Sequence, residues 1–305
     1  MQGRTNTTSQ RINYKHDEMR IKFIIPRNIR DGYVNKGMHD TLRHCLGGNG
    51  NFVVVDKNED LVHMFGLWNN KYRRLANNLC KRGIPVVFTS IEGMAPLRNK
   101  RGDVTRNVFR RRVVREIVAS CGGVQVCGNA EMNTLKAIVP GVAPDVIANP
   151  DFTQATDNDK MVALFAALYE KAQVVFDARL RESISKRVKE AIRSTDNTAG
   201  GPAASQLSEA HETMADICSR IVYLHHLSIK GTIPQGFLDE TSDIMTKGNY
   251  DEAAMARLLK RVGMGRFAAY AMELLAQESS LTEGFMPVES RDGKTVERMR
   301  RMIIQ

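Results

Sequence analysis

The chain has no hydrophobic run near the roughly 20 residues a membrane-spanning helix needs. Its first 18 residues, MQGRTNTTSQRINYKHDE, hold no apolar stretch of the signal-peptide kind. These absences predict a soluble, cytoplasmic chain, at most peripheral at the inner face of a membrane. Cysteine is scarce. The five, Cys45, Cys80, Cys121, Cys127 and Cys218, are odd in number, widely spaced and without a C-x-x-C pair, which argues against a disulfide framework and a zinc site. Aromatic residues make up 6% of the chain, too few beside the basic stretches to build a base-stacking platform, so a nucleic acid is not the expected partner. What is present is a globular composition. With 42% hydrophobic and 26% charged residues over 305 positions, the chain can bury one large core or two ordinary ones.

Charge is unevenly spread. Residues 1–150 hold 24 basic and 12 acidic side chains, whereas 151–305 hold 20 and 22. The positive field therefore belongs to the first half, which is expected to face an anionic ligand such as a nucleotide-sugar or a lipid-linked phosphate. The densest stretch holds Arg98, Lys100, Arg101, Arg106, Arg110, Arg111, Arg112 and Arg115 against the single acid Asp103. It reads either as a phosphate contact or as a solvated helix face.

Hydrophobic periodicity divides the chain. Residues 1–18 carry no apolar period and read as a disordered extension. From 19 to 152 short β-branched runs at 21–25, 52–55, 61–65, 86–88 and 124–126 alternate with helical patterns at 35–46, 69–82, 105–120 and 129–138. That alternation predicts an α/β domain, a Rossmann-like parallel sheet flanked by helices. From 153 to 305 the strand signal fades. Leu180, Ile184, Val188 and Ile192 recur every four residues, and Leu207, His211, Met214, Ile217, Ile221 and Leu224 mark a second helical face. This half is expected to be mainly α-helical, with a small-residue loop at 194–205, helices at 251–262 and 265–278, and a last basic helix at 296–304.

Four stretches in order, DLVHMFGLWNN (60–70), IPVVFTSIEGM (84–94), VFRRRVVREIVASCGGVQVCGNAEMNTLKAIVP (108–140) and DVIANPDF (145–152), carry a family likeness. Residues 19–152 resemble the N-terminal, acceptor-side domain of retaining glycosyltransferases of the GT-B fold, the glycogen-synthase-like and lipopolysaccharide-type enzymes. The resemblance implies sugar transfer from a nucleotide-sugar co-substrate to a hydroxyl, with no resident cofactor and no metal ligand set. It also implies a ligand crevice beyond the carboxyl ends of the strands, as in open α/β sheets generally. By that logic His63 and Glu92 are the candidate catalytic residues, with a satisfied core histidine as the competing reading of His63, and Gly32, Gly37, Gly93, Glu131, Arg110 and Arg111 are the candidates for substrate binding. Glu131 opens a helix whose N-terminal amides would suit an anion.

The sequence departs from the family pattern at several of these positions. Gly37 is matched, but Lys36 precedes it and His39 stands where an acid is usual; Glu92 stands where the family has a histidine. Phe65 replaces the second histidine of an H-x-H pair, and Gly128 replaces a serine. These changes count against ordinary acceptor activation. The donor half is also missing from the pattern, since 153–305 offers helices rather than further βα units. Glu182 and Glu190 have the E-x7-E spacing of donor sites but lie about 80° apart on one helix, as on a solvated face. A non-catalytic binding or assembly protein, with the helical half meeting a protein partner, is the competing reading. His225-His226, the Trp68 and Tyr72 pair and the cysteines read as packing.

Overall fold

In the computed structural model the described residues are 18–25, 42, 52–90, 108–147, 155–196 and 209–304. The chain forms two compact units, Met1–Phe176 and Asp177–Gln305.

The first unit is built on a parallel sheet of six strands: β1 (Met19–Ile24), β2 (Phe52–Val54), β3 (Leu61–Gly66), β4 (Val86–Ser90), β5 (Gly123–Val126) and β6 (Asp145–Val146). Their order is β2-β1-β3-β4-β5-β6, with Ile21 level with Leu61, Val62 with Val86 and Phe88 with Val124. The expected α/β fold class is therefore correct, and β6 extends the sheet into the DVIANPDF stretch. Between the later strands the described helices are α1 (Asn70–Lys81), α2 (Val108–Ser120) and α3 (Asn129–Ile138), and Leu42, between β1 and β2, is helical as well. Helix α1 starts where it does because the Asn69 side chain accepts from the amides of Lys71, at 3.0 Å, and Tyr72, at 3.2 Å, satisfying first-turn donors that have no partner within the helix. It stops at Gly83, whose φ of 77° ends the turn at no side-chain cost.

Every residue of β3 is buried, the pattern of a strand covered on both faces. On one face Val62, Met64, Val86, Phe88, Val124 and Val126 pack against α1, α2 and α3. On the other Ile21, Leu61, Phe65 and Val87 pack against Phe165, Leu168, Tyr169 and Ala172, with Leu42 in the same cluster. Those four residues belong to α4 (Ala155–Asp196). The helix lies close to β5 because Gly122 and Gly123 leave room: a Cβ on Gly122 would fall on the Ala172 carbonyl oxygen, and one on Gly123 would come within 2.6 Å of Leu168 Cδ1. At the amino edge of the sheet Arg20 grips Asp60 three times. Its backbone amide and Nε donate to Oδ2 at 2.9 Å, and Nη2 donates to Oδ1 at 2.6 Å.

The second unit contains the rest of α4, then α5 (Glu209–Lys230), α6 (Gln235–Lys247), α7 (Glu252–Arg261), α8 (Gly265–Ser279) and α9 (Lys294–Arg300). Its core joins Val188 and Ile192 to Ile217, Ile221 and Leu224, and these to Leu238, Leu259, Met272 and Val296. The expected helical character is correct. The expected helix at 296–304 is shorter, because Ile303–Ile304 leave α9 as β8 and pair in parallel with β7, Ile233–Pro234. Among the described residues no helix is long and apolar enough to cross a membrane.

Candidate functional site

Parallel strands put all their carboxyl ends on one edge of a sheet. Helices α1 and α3 begin four and three residues after the ends of β3 and β5, so their N-termini lie at that edge. Helix α2 runs into β5 through Cys121 and Gly122 alone, which puts its C-terminus at the opposite edge and its N-terminus at the carboxyl edge as well. The chain passes from β1 to β2 on one side of β1 and to β3 on the other. This is a topological switch point, where open α/β sheets leave a crevice. The described parts of the rim are Ile24–Ile25, Gly66–Asn69, Ser90, the first turn of α2 and the Cys127–Glu131 turn.

Arg110 and Arg111 stand in that first turn. Arg110 precedes the buried Val114 by four residues and Ile117 by seven, so it continues the sheet-facing side of α2 one turn beyond the core, and it is exposed there. Arg110 thus stands in the helix turn nearest the rim. Arg111 precedes Arg115 by four, and Arg115 Nε donates to the Ile138 carbonyl oxygen at 3.0 Å. Arg111 is thus on the α3 side of the helix, partly buried, with an Nε that has no hydrogen-bond partner. On the far side Glu116 accepts from Arg73 and Arg112, which hold its carboxyl below the usual carboxylate range.

Glu131 sits in the first turn of α3, as expected, but fills the place assigned to a bound anion. Its Oε2 accepts the Cys127 amide at 2.8 Å, so the helix N-terminus is met by the protein's own carboxylate. The Cys127 thiol is pushed up by burial and by that carboxylate, the reverse of what a nucleophile needs.

His63 lies three residues before the end of β3, which runs on to Gly66, so it does not stand beyond a strand's carboxyl end as the crevice reading requires; its ring lies on the face that α4 covers. It is fully buried. Nδ1 is 2.8 Å from Tyr169 Oη and Nε2 is 2.8 Å from Thr89 Oγ1, while Phe65 stacks on the ring at 4.1 Å. Both partners are hydroxyls, which can donate or accept, so either ring tautomer satisfies the two contacts, and Phe23, Phe65, Phe165 and Tyr169 lie around the ring. Sequence reasoning missed Tyr169 and Thr89 as its partners. No local signal exists for a contact that spans 106 residues.

Trp68 and Tyr72 are packing residues, with the Trp68 ring 4.6 Å from Phe88. Gly66 must be small for the same reason, since a Cβ there would come within 2.6 Å of Tyr72 Cδ1. Glu182 and Glu190 are exposed on α4, and His225 and His226 pack against Phe267 and Tyr223. Among the described residues no cluster of three or more metal-ligating side chains occurs. Gly32, Gly37, Glu92 and Gly93 lie outside the described residues.

No family model matches the chain, and neither a curated protein nor a solved structure matches it.

Proposed function

We propose that this chain is a glycosyltransferase-like protein whose α/β unit holds a phosphorylated sugar at the carboxyl rim of its sheet, with transfer taking place only when a partner supplies the donor site. The observation that carries this reading is the rim itself, a switch point ringed by three helix N-termini with Arg110 at its edge. Retaining transfer depends on stabilising a departing phosphate, and a positioned guanidinium does that work. The family resemblance adds Glu92, a carboxylate able to stabilise positive charge developing on the sugar. The enclosed ring of His63 suits it to holding α4 on the sheet. The need for a partner follows from the second unit, where helices and one two-residue strand pair are described instead of a second α/β sheet.

The same helical unit favours the second reading, a binding or assembly protein that has kept an acceptor-type domain. Titration of the full chain with sugar phosphates and common nucleotide-sugars, followed by calorimetry and by product analysis, separates the two. A phosphorylated sugar should bind, and Arg110→Gln should weaken that binding about tenfold while Arg112→Gln changes it little. No transfer should occur with the chain alone. In a preparation that turns over, Glu92→Gln should cost about 10²-fold or more. Binding that is absent, or indifferent to Arg110, removes the proposal.

A further inference from the structure

Two helices of the α/β unit share a surface on which one sign of charge prevails. Glu116 of α2 accepts from Arg73 of α1, and Ser120 of α2 donates to Asn77 of α1. The partners are four residues apart on both helices, so α1 and α2 run parallel and side by side. The exposed residues of α1 are Lys71, Arg74, Asn78 and Lys81, on the side away from buried Tyr72, Ala76 and Leu79. On α2 the exposed Arg112, Arg115 and Ala119 lie on the side away from buried Val113, Val114, Ile117 and Val118. Every exposed charge on these two outer sides is therefore a cation. The single acid of the two helices, Glu116, is already shared by Arg73 and Arg112.

Stability does not account for this choice. The N-terminus of a helix is the positive end of its dipole and favours acids. Neither helix has an acid in its first turn, where α1 carries Lys71 and Arg73 and α2 carries Arg110 and Arg111. Helices α5, α7 and α9 show the usual pattern, with Glu209 and Glu212, Glu252, and Glu297 in their first turns. An ordinary solvated face also mixes the two signs. Charges that the helices themselves disfavour mark a surface kept for a partner. We propose that the outer face of α1 and α2 docks on an anionic lipid surface. Attraction of this kind needs only cations held near the headgroup plane, each adding to the affinity. Two helices of about 10 Å each make a face about 20 Å across, broader than the roughly 12 Å major groove that a duplex offers to one helix. Among the described side chains this face exposes no ring on which a single strand could stack. It exposes nothing more apolar than Ala119, so a protein partner would find no core to bury.

The test uses the full chain at about 50 mM salt with vesicles of phosphatidylcholine containing about 30% phosphatidylglycerol, read by co-sedimentation. The chain should bind these vesicles, leave them at about 500 mM salt and ignore pure phosphatidylcholine. Lys71→Gln, Arg74→Gln and Lys81→Gln together should weaken binding about tenfold or more. Lys294→Gln, Arg298→Gln and Arg301→Gln, which remove the same charge from exposed positions at α9, should weaken it by less than about twofold. The melting temperature of the α1 variant should hold or rise, because cations near the positive end of a dipole are being removed; a clear fall would show that they serve the fold and overturn the proposal. A duplex of about 20 base pairs, followed by fluorescence anisotropy, is the competing probe. Tighter binding to the duplex than to the vesicles, lost in the α1 variant, overturns the lipid assignment in favour of nucleic acid. No vesicle binding, or equal losses in the two triple variants, overturns the proposal outright. Titration with sugar phosphates needs no vesicle, so failure here leaves the reading of the rim standing.

Discussion

Buried polar side chains decide more at the residue scale than any exposed charge in this protein. His63 has both nitrogens engaged within an apolar shell, so Tyr169→Phe strands Nδ1 without a partner while keeping the ring that packs on the sheet. A loss of about 1–3 kcal/mol is expected in the urea unfolding free energy. Thr89→Val, which strands Nε2, should cost about as much, and the double variant less than the sum because both act on one imidazole. Additive losses would show that the chain of hydrogen bonds is not one unit. Gly66→Ala tests packing instead: with Tyr72 Cδ1 at 2.6 Å and Phe88 Cε2 at 2.8 Å from the added methyl, overpacking should cost about 1–3 kcal/mol. The packing of Trp68 and Tyr72 was legible from their four-residue spacing, although Trp68 stands just ahead of α1 rather than on it. The true surroundings of His63 were not, since a histidine three residues into a strand and one at its end look alike in a short apolar run.

Helices of the second unit carry a pH dependence. Burial pulls both histidines near the end of α5 below their ordinary value. His226 is pulled further by Lys230 and His225 and partly restored by Asp177 across the helix pair, and Phe267 of α8 lies edge-on to His225. A histidine held neutral in the fold is protonated first in the unfolded chain. The unfolded state therefore binds more protons as pH falls below about 6.5, and stability drops with it until the folded histidines titrate too. The urea midpoint should fall between pH 7.5 and 5.5, and by less in His226→Gln. An unchanged midpoint would mean that the rings are open to water. Strands β1 to β5 were legible because β-branched runs bounded by glycine and proline leave few alternatives. The shortened last helix was not, because Ile303 and Ile304 continue an apolar period that only pairing with Ile233–Pro234 interrupts.

Over the whole molecule, the sheet depends on a helix that follows it in the chain. Phe165, Leu168, Tyr169 and Ala172 pack on one face of the sheet, so a fragment ending at residue 152 should lose cooperative melting. One ending near residue 178, in keeping with the first unit's boundary at Phe176, should keep it. Circular dichroism melts of both fragments check this, and equal melting would show that α4 adds nothing. That boundary is hard to read in sequence because α4 is a single helical pattern supplying two cores in succession. The covering of both sheet faces has a further effect. A half-exposed strand announces its alignment by alternating apolar and polar residues, whereas LVHMFG and VVFTS slide past their neighbours with little change in buried area. Among such nearly equivalent alignments the hydrophobic effect is a poor judge, and the choice falls to contacts with only one solution. The Asp60 carboxylate meets the Arg20 amide and guanidinium in a single alignment of β1 with β3, and the His63 imidazole meets Thr89 in a single alignment of β3 with β4. A few polar atoms thus separate the native fold from its own slipped competitors, and weakening them should favour trapped and aggregated chains during refolding before the native state itself is much less stable.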